Sequence, residues 1–212
     1  LLLLNTMKKL LLILLCVPLI GLGQGWETTF GGTSYDKGRS VQQTTDGGYI
    51  VCGFVDNEDV YLVKTDMNGI EQWTKTFGGT GYDEGWSVQQ TTDGGYIISG
   101  YTTSGYNNED VYLVKTDING IEQWTKTFGG TDNELGCSVQ QTTDGGYIIS
   151  GYTESFGNGD YDVYLIKTDG NGDSLWTKTF DNQGTEEGYS VQQTTDGGYI
   201  ITGSTSSFGN GD

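Results

Sequence analysis

The apolar residues of this chain fall in short runs separated by glycine-rich polar stretches, and the runs read as strands. Tyr96 to Thr102 and Asp110 to Thr116 read as central strands. Their YIISGY and DVYLV cores are apolar at both alternate positions, so both faces of each strand need cover. Ser87 to Thr91 precedes them as a first strand, and Ile121 to Phe128 follows as a fourth. Asp93-Gly94-Gly95 and Asp117-Ile118-Asn119-Gly120 supply the positive φ that tight hairpins need. Two tandem hairpins predict a four-stranded antiparallel sheet. The glycine after each apolar triplet (Gly53, Gly100, Gly151, Gly203) marks a close approach of neighbouring backbone.

This unit recurs. TTDGGYI begins at Thr44, Thr91, Thr142 and Thr194, and Trp26, Trp73, Trp124 and Trp176 each precede a serine by 14 residues. The period between Asp46, Asp93, Asp144 and Asp196 grows from 47 to 51 to 52 residues. All of that growth falls between Gly53 and Asp59, Gly100 and Asp110, and Gly151 and Asp162, so one loop varies on a fixed frame. A lone four-stranded sheet cannot cover its own two apolar faces, whereas copies fanned about an axis cover one another. Sheets of this size at this period predict an all-β fold, a partial β-propeller of about three and a half blades after an N-terminal outer strand. Each outer-strand tryptophan is expected between adjacent blades. The domain reading is residues 1–24 as upstream sequence plus a signal peptide, then an incomplete propeller over 25–212. Its repeats run about 26–72, 73–123, 124–175 and 176–212. The natural chain is expected to continue to about six to eight blades, and the piece alone is expected to self-associate through an open blade face.

Val60 to Gly79, VYLVKTDMNGIEQWTKTFGG, resembles the repeat of quinoprotein-dehydrogenase-like propellers. The longer text from WTKTFGG through SVQQTTDGGYIISGYT to DVYLVKTD is similar to repeat proteins exported by Bacteroidota, many of which end in a type IX secretion sorting domain. The resemblance covers Trp26 to Asp212, implies a secreted or cell-surface location, and brings no catalytic motif. The N-terminus agrees with export. Met7 is followed by Lys8 and Lys9, an apolar run from Leu10 to Ile20, and small residues Gly21 and Gly23, the order of a signal peptide. That run is too short to span a bilayer, which takes about 20 residues. Cys16 lies in mid-run after Leu15 and does not fit a lipid-attachment site. Cys52 and Cys137 occupy unrelated repeat positions and read as small buried fillers rather than a disulfide.

Ten lysines and arginines against 28 aspartates and glutamates give a net charge of −18. So acidic a surface argues against nucleic acid and anionic lipid as partners. With no histidine, histidine-activated nucleophiles and histidine metal ligation are excluded in this chain. The variable loops and the loops leading into each unit share one rim. They gather the ligand-binding candidates Tyr82, Asp83, Glu84, Tyr106, Glu109, Asp132, Glu134, Phe156, Asp160 and Tyr161, with Tyr35, Asp36, Glu58, Glu186 and Glu187 nearby in the pattern. Aromatics beside carboxylates suit a carbohydrate or a cationic group. The leading expectation is a non-enzymatic exported propeller binding glycan or protein. The alternatives are a propeller glycoside hydrolase using rim carboxylates and a spacer for a further domain. No cofactor is implied. Calcium stays open at the acidic loops, although Asp169 to Asp173 reads as a turn, because Ser174 and Phe180 stand where a calcium loop needs glycine and glutamate.

Overall fold

The computed structural model describes residues 25–56, 59–103, 108–158, 160–182 and 184–207. The signal-peptide reading, Cys16, Glu58 and Tyr106 lie outside the described residues. The first sheet contains β1 (Lys37–Gln43), β2 (Tyr49–Val55), β3 (Asp59–Thr65) and β4 (Glu71–Phe77). The second contains β5 (Asp83–Gln90), β6 (Tyr96–Thr103), β7 (Glu109–Thr116) and β8 (Glu122–Phe128). The third contains β9 (Glu134–Gln141), β10 (Tyr147–Thr153), β11 (Asp162–Thr168) and β12 (Ser174–Phe180), and β13 (Glu186–Gln193) pairs with β14 (Tyr199–Thr205). Every pairing is antiparallel and between sequence neighbours. The described residues hold no helix, and none of their segments forms a helix long and apolar enough to cross a membrane.

The first strand of each unit starts about four residues earlier than its alternation implies, at Asp83 rather than Ser87 in the second copy. A β-bulge causes this. Trp86 is skipped in the register between Gly85↔Gly100 and Ser87↔Ser99, and Arg39, Cys137 and Tyr189 are skipped at the equivalent places. The bulge brings backbone onto the conserved-in-repeat glycine opposite. A Cβ on Gly100 would lie 1.7 Å from the Glu84 carbonyl oxygen, which explains the residue type there.

Neighbouring sheets cover one another through two kinds of contact. The apolar contact joins Ile50, Cys52, Val60, Leu62 and Phe77 of the first sheet to Val88, Tyr96, Ile98 and Val114 of the second, and Ile97, Val111 and Leu113 to Val139, Tyr147, Ile149 and Ile166 of the third. Trp73 closes the outer part of the first junction against Tyr96, and Trp124 closes the second against Tyr147, each with ring centroids 5.8 Å apart and edge to face. Cys52 and Cys137 are buried free thiols, Cys52 within the first of these clusters and Cys137 at the bulge of β9. The polar contact joins the first strands. Ser40 Oγ accepts from Val88 N at 3.3 Å, Gln42 Oε1 from Gln90 N at 2.6 Å, and Gln90 Oε1 from Thr45 N at 2.9 Å. The same three bonds tie β5 to β9 and β9 to β13. SVQQ is therefore a device that satisfies the outward amides of an edge strand with side chains from the preceding sheet.

At the DGG end of each sheet a lysine is buried. Lys64, Lys115 and Lys167 are 4%, 3% and 3% exposed, and each pairs with the turn aspartate of its own sheet, Asp46, Asp93 or Asp144, at 2.9 to 3.0 Å. The Lys115 Nζ also donates to the Thr116 carbonyl at 2.8 Å and Gln123 Oε1 at 3.2 Å, so its three protons are placed. The Thr44 hydroxyl and then Lys64 hold Asp46 down to about 2, and Thr142 with Lys167 does the same for Asp144. At Asp93 burial works against the charge, but Thr91 and Lys115 outweigh it and the carboxyl again titrates at about 2. The Asp169 turn closes on itself: Asp169 Oδ1 accepts from Asn171 N at 2.8 Å and Asp173 N at 2.9 Å.

Two outcomes follow from this packing. Trp124→Ala should destabilise the chain by about 3 kcal/mol, the low end for truncating a large core side chain, because Trp124 is partly buried against the second junction. Trp176→Ala should cost clearly less, because Trp176 is already 38% exposed while packing on Tyr199; urea midpoints for the two variants decide this. The turn aspartates titrate below their ordinary 3.8 in the fold, so their contribution is complete above about pH 4 and is lost as pH falls through 2. Lys115→Met should shrink that acid-sensitive component in thermal melts taken between pH 5 and pH 2.

Candidate functional site

The opposite end of each sheet carries the loop from the second to the third strand and the loop arriving from the preceding sheet. These two loops are tied together: Thr103 N donates to the Tyr82 carbonyl at 2.9 Å, and Glu154 N to the Asn133 carbonyl at 2.8 Å. The sequence candidates separate here into three groups according to where the strand ends place them.

Asp36, Asp83, Glu134 and Glu186 occupy one repeat position, at or just before the start of the first strand, and organise the loops. Asp83 is 1% exposed and its Oδ2 accepts from Gly79 N at 2.9 Å; Glu134 is fully buried and accepts from Gly130 N at 2.7 Å, Thr153 Oγ1 at 2.6 Å and Ser155 N at 3.1 Å. Asp36 holds the amides of Gly32 and Asp56, both at 2.9 Å. Tyr82, Asp132, Phe156 and Asp160 are exposed at loop tips, Phe156 with its ring 5.5 Å from that of Tyr164. Tyr35 is likewise exposed, against Phe54.

Glu84, Glu109, Tyr161 and Glu187 form the third group and face residues that the loop reasoning did not single out. Glu84 Oε2 is 2.7 Å from Arg39 Nη2 and accepts from Trp86 Nε1 at 3.2 Å, while the Arg39 guanidinium lies 4.0 Å over the Trp86 ring. Tyr161 packs against Tyr152 with ring centroids 4.6 Å apart and the rings tilted by 55°. Tyr189 donates to Glu187, which also accepts from Ser204 Oγ at 3.0 Å. Burial raises the Tyr101 and Tyr152 hydroxyls well above the usual phenol range, with the charge of Glu84 next at Tyr101 and that of Glu109 adding at both. Burial and then the charges of Glu84 and Glu154 push the Glu109 carboxyl up. Tyr161 is raised by burial and by its contact with Glu154, and Cys137 is pushed up to about 12 by burial and then by Glu187.

These couplings join side chains from the second, third and fourth units into one half-buried acidic and tyrosine-rich surface, with Arg39 of the first at its edge. It can donate phenol hydroxyls, accept through several carboxylates and offer aromatic faces. The signal for it in the sequence is the residue between the repeat's glycine and serine. It changes from Arg39 to Trp86, Cys137 and Tyr189 while SVQQ beside it stays fixed. No protein-family model matches the chain, and no curated protein matches its sequence.

Glu109 provides a check on this arrangement. A carboxyl raised by burial and like charges destabilises the fold as pH rises through its range, so Glu109→Gln should melt higher than the unaltered chain at pH 7. The two should converge below the ordinary glutamate value of 4.5. Equal melting temperatures at pH 7 would show that Glu109 carries no such strain.

Proposed function

We propose that this chain belongs to an exported β-propeller that binds a glycan or a protein segment on its acidic, tyrosine-lined end, without catalysis. Support for the propeller comes from the side-by-side first strands, the repeated sheet-on-sheet junctions and the spreading of successive sheets, in which β5 packs over β1, β2 and β3, and β9 over β5, β6 and β7. Support for binding comes above all from one observation: the Tyr152–Tyr161 pair stands beside Glu109 and Glu154 on a frame whose other end has its aspartates engaged with lysines. Carboxylates held half-buried with like charges are costly to fold, and such groups are kept where they recognise something. Paired tyrosine faces suit sugar rings or alkylammonium groups, and the carboxylates suit hydroxyl or cationic donors.

One observation favours the hydrolase reading. Glu109, raised and flanked by Glu84 and Glu154, has the setting of a general acid beside a second carboxylate. A glycan array and a panel of lysine-rich peptides, followed by a reducing-sugar assay on any glycan bound, separates the two. Binding without sugar release, weakened about tenfold or more by Tyr161→Ala with the melting temperature kept, supports the binding module. Sugar release abolished by Glu109→Gln establishes the hydrolase, and binding unaffected by both substitutions removes this surface from either role.

A further inference from the structure

The junction between the third sheet and the β13–β14 hairpin departs from the others by one residue. β4 and β8 end in Phe77 and Phe128 and are each followed by glycine, Gly78 and Gly129, as Phe30 is followed by Gly31 in the segment before β1, where the expected outer strand does not form; β12 ends in Phe180 and is followed by Asp181. The glycines leave room for two carboxylates. A Cβ on Gly78 would lie 2.6 Å from Asp59 Oδ1 and 2.2 Å from Asp83 Oδ2, and one on Gly129 would lie 1.7 Å from Asp110 Oδ1 and 2.8 Å from Glu134 Oε2. Asp181 thus adds a third carboxylate where the fold already brings two together.

The three acids come from three elements. Asp162 begins β11, Asp181 follows β12 and Glu186 begins β13, and one ligand oxygen of each lies within 4.8 Å of the other two. Asp162 and Glu186 are 2% and 3% exposed. Glu186 is held by Thr205 Oγ1 at 2.9 Å, Ser207 Oγ and Asn182 N at 3.2 Å, and Asp181 accepts from Asn158 Nδ2 at 2.7 Å. Asp162 is different. Its carboxylate takes a backbone hydrogen bond from Asn158 and its Oδ2 lies against Gly157, where a Cβ would come within 1.8 Å, but its buried Oδ1 has no hydrogen-bond partner. No lysine or arginine pairs with Asp162 or Glu186 among the described residues. A buried carboxylate oxygen with neither donor nor countercharge is a substantial cost that a cation would remove.

We infer that Asp162, Asp181 and Glu186 form a calcium site that pins the third sheet to the β13–β14 hairpin. The donors are all carboxylate oxygens with no thiol or imidazole, which selects a hard cation. Oxygens bound to one calcium at about 2.4 Å lie at most about 4.8 Å apart, so the observed spread admits a single shared ion. The three acids are not among the tyrosine-surface residues, although Tyr161 adjoins Asp162 and Glu187 adjoins Glu186 in the chain, so calcium binding is read out separately from the ligand proposed above.

Titrating calcium chloride into the chelator-treated chain by calorimetry, with thermal melts in parallel, tests this. One equivalent should bind with a dissociation constant below about 1 mM, the range of extracellular modules, and raise the melting temperature, while magnesium at equal concentration does neither. Asp181→Gly restores the residue of the earlier junctions, and Asp181→Asn keeps the side-chain volume. Both should abolish the heat and the calcium-dependent shift. In chelator the Asn variant should melt at or above the unaltered chain, since one like charge is gone. Absence of heat at 10-fold the expected constant, calcium binding retained in both variants, or an equal response to magnesium would each overturn the assignment.

Discussion

An antiparallel sheet whose middle strands are apolar on both sides must be covered twice, and four strands supply nothing to do it with. Here the second and third sheets are covered by a neighbour on each side, while the first sheet and the β13–β14 hairpin each pack against one neighbouring sheet among the described residues. The apolar clusters cross the junctions, with residues of two successive sheets in each, so burial belongs to pairs of units rather than to one. This arrangement creates a second requirement. The first strand of each unit after the first is a sheet edge whose outward amides would be lost inside a junction; the serine and first glutamine of the preceding SVQQ accept from them, and the strand's own second glutamine accepts from the turn amide of the preceding sheet. The bulge beside that ladder then lets one residue in each unit escape the register, with the opposing glycine making room.

The two ends of the sheets use their charge differently. At the DGG end, aspartate, threonine and a buried lysine form sets within a single sheet, with all three Nζ protons placed at Lys64 and Lys115, while Lys167 reaches Asp144 and the Thr168 carbonyl and has Leu175 where the other sheets have a glutamine. At the other end the acids belong to loops and junctions, and only Arg39 among the described cations reaches the tyrosine surface. The ends therefore have different electrostatic characters although both are acidic in composition. One end has its charge neutralised as part of folding, while the other keeps carboxylates whose burial opposes ionisation at Glu109, Asp110 and Asp162.

Much of the frame was legible in the sequence because its determinants are local and repeated. Asp-Gly-Gly fixes a turn wherever it occurs, Trp124 marks the outer strand, and Gly100 announces the close approach later found at the Glu84 carbonyl. The bulge was not legible, because the skipped residue breaks the period-two alternation that would reveal the strand, and so the strand was read as starting at Ser87 instead of Asp83. The candidate surface was half legible for a related reason. Glu109, at the start of β7, and Tyr161, just before β11, close the loops of variable length and drew notice. Tyr101 and Tyr152 lie inside the apolar YIISGY run and Trp86 inside the bulge, where periodicity assigns them to packing. Only geometry shows that they turn toward the carboxylates. The buried lysines were missed as well, since a lysine in DVYLVKTD reads as solvated until its aspartate partner, 18 to 23 residues earlier, is seen beside it.

A repeat also contains its own control, because every unit must solve the same folding problem. Positions that hold one residue type in all copies, such as the SVQQ serine and glutamines or the turn aspartate, are accounted for by junction and turn geometry alone. Positions that differ cannot be explained by that shared geometry, since the other copies fold without them. The bulge residue, four different types at Arg39, Trp86, Cys137 and Tyr189, and the residue after the repeat's phenylalanine, glycine at Gly31, Gly78 and Gly129 and then Asp181, are such positions. Both sit beside carboxylates at the end where acids are not neutralised by lysine. In a chain whose frame is made by repetition, what distinguishes one unit from another is what the frame leaves free to carry function.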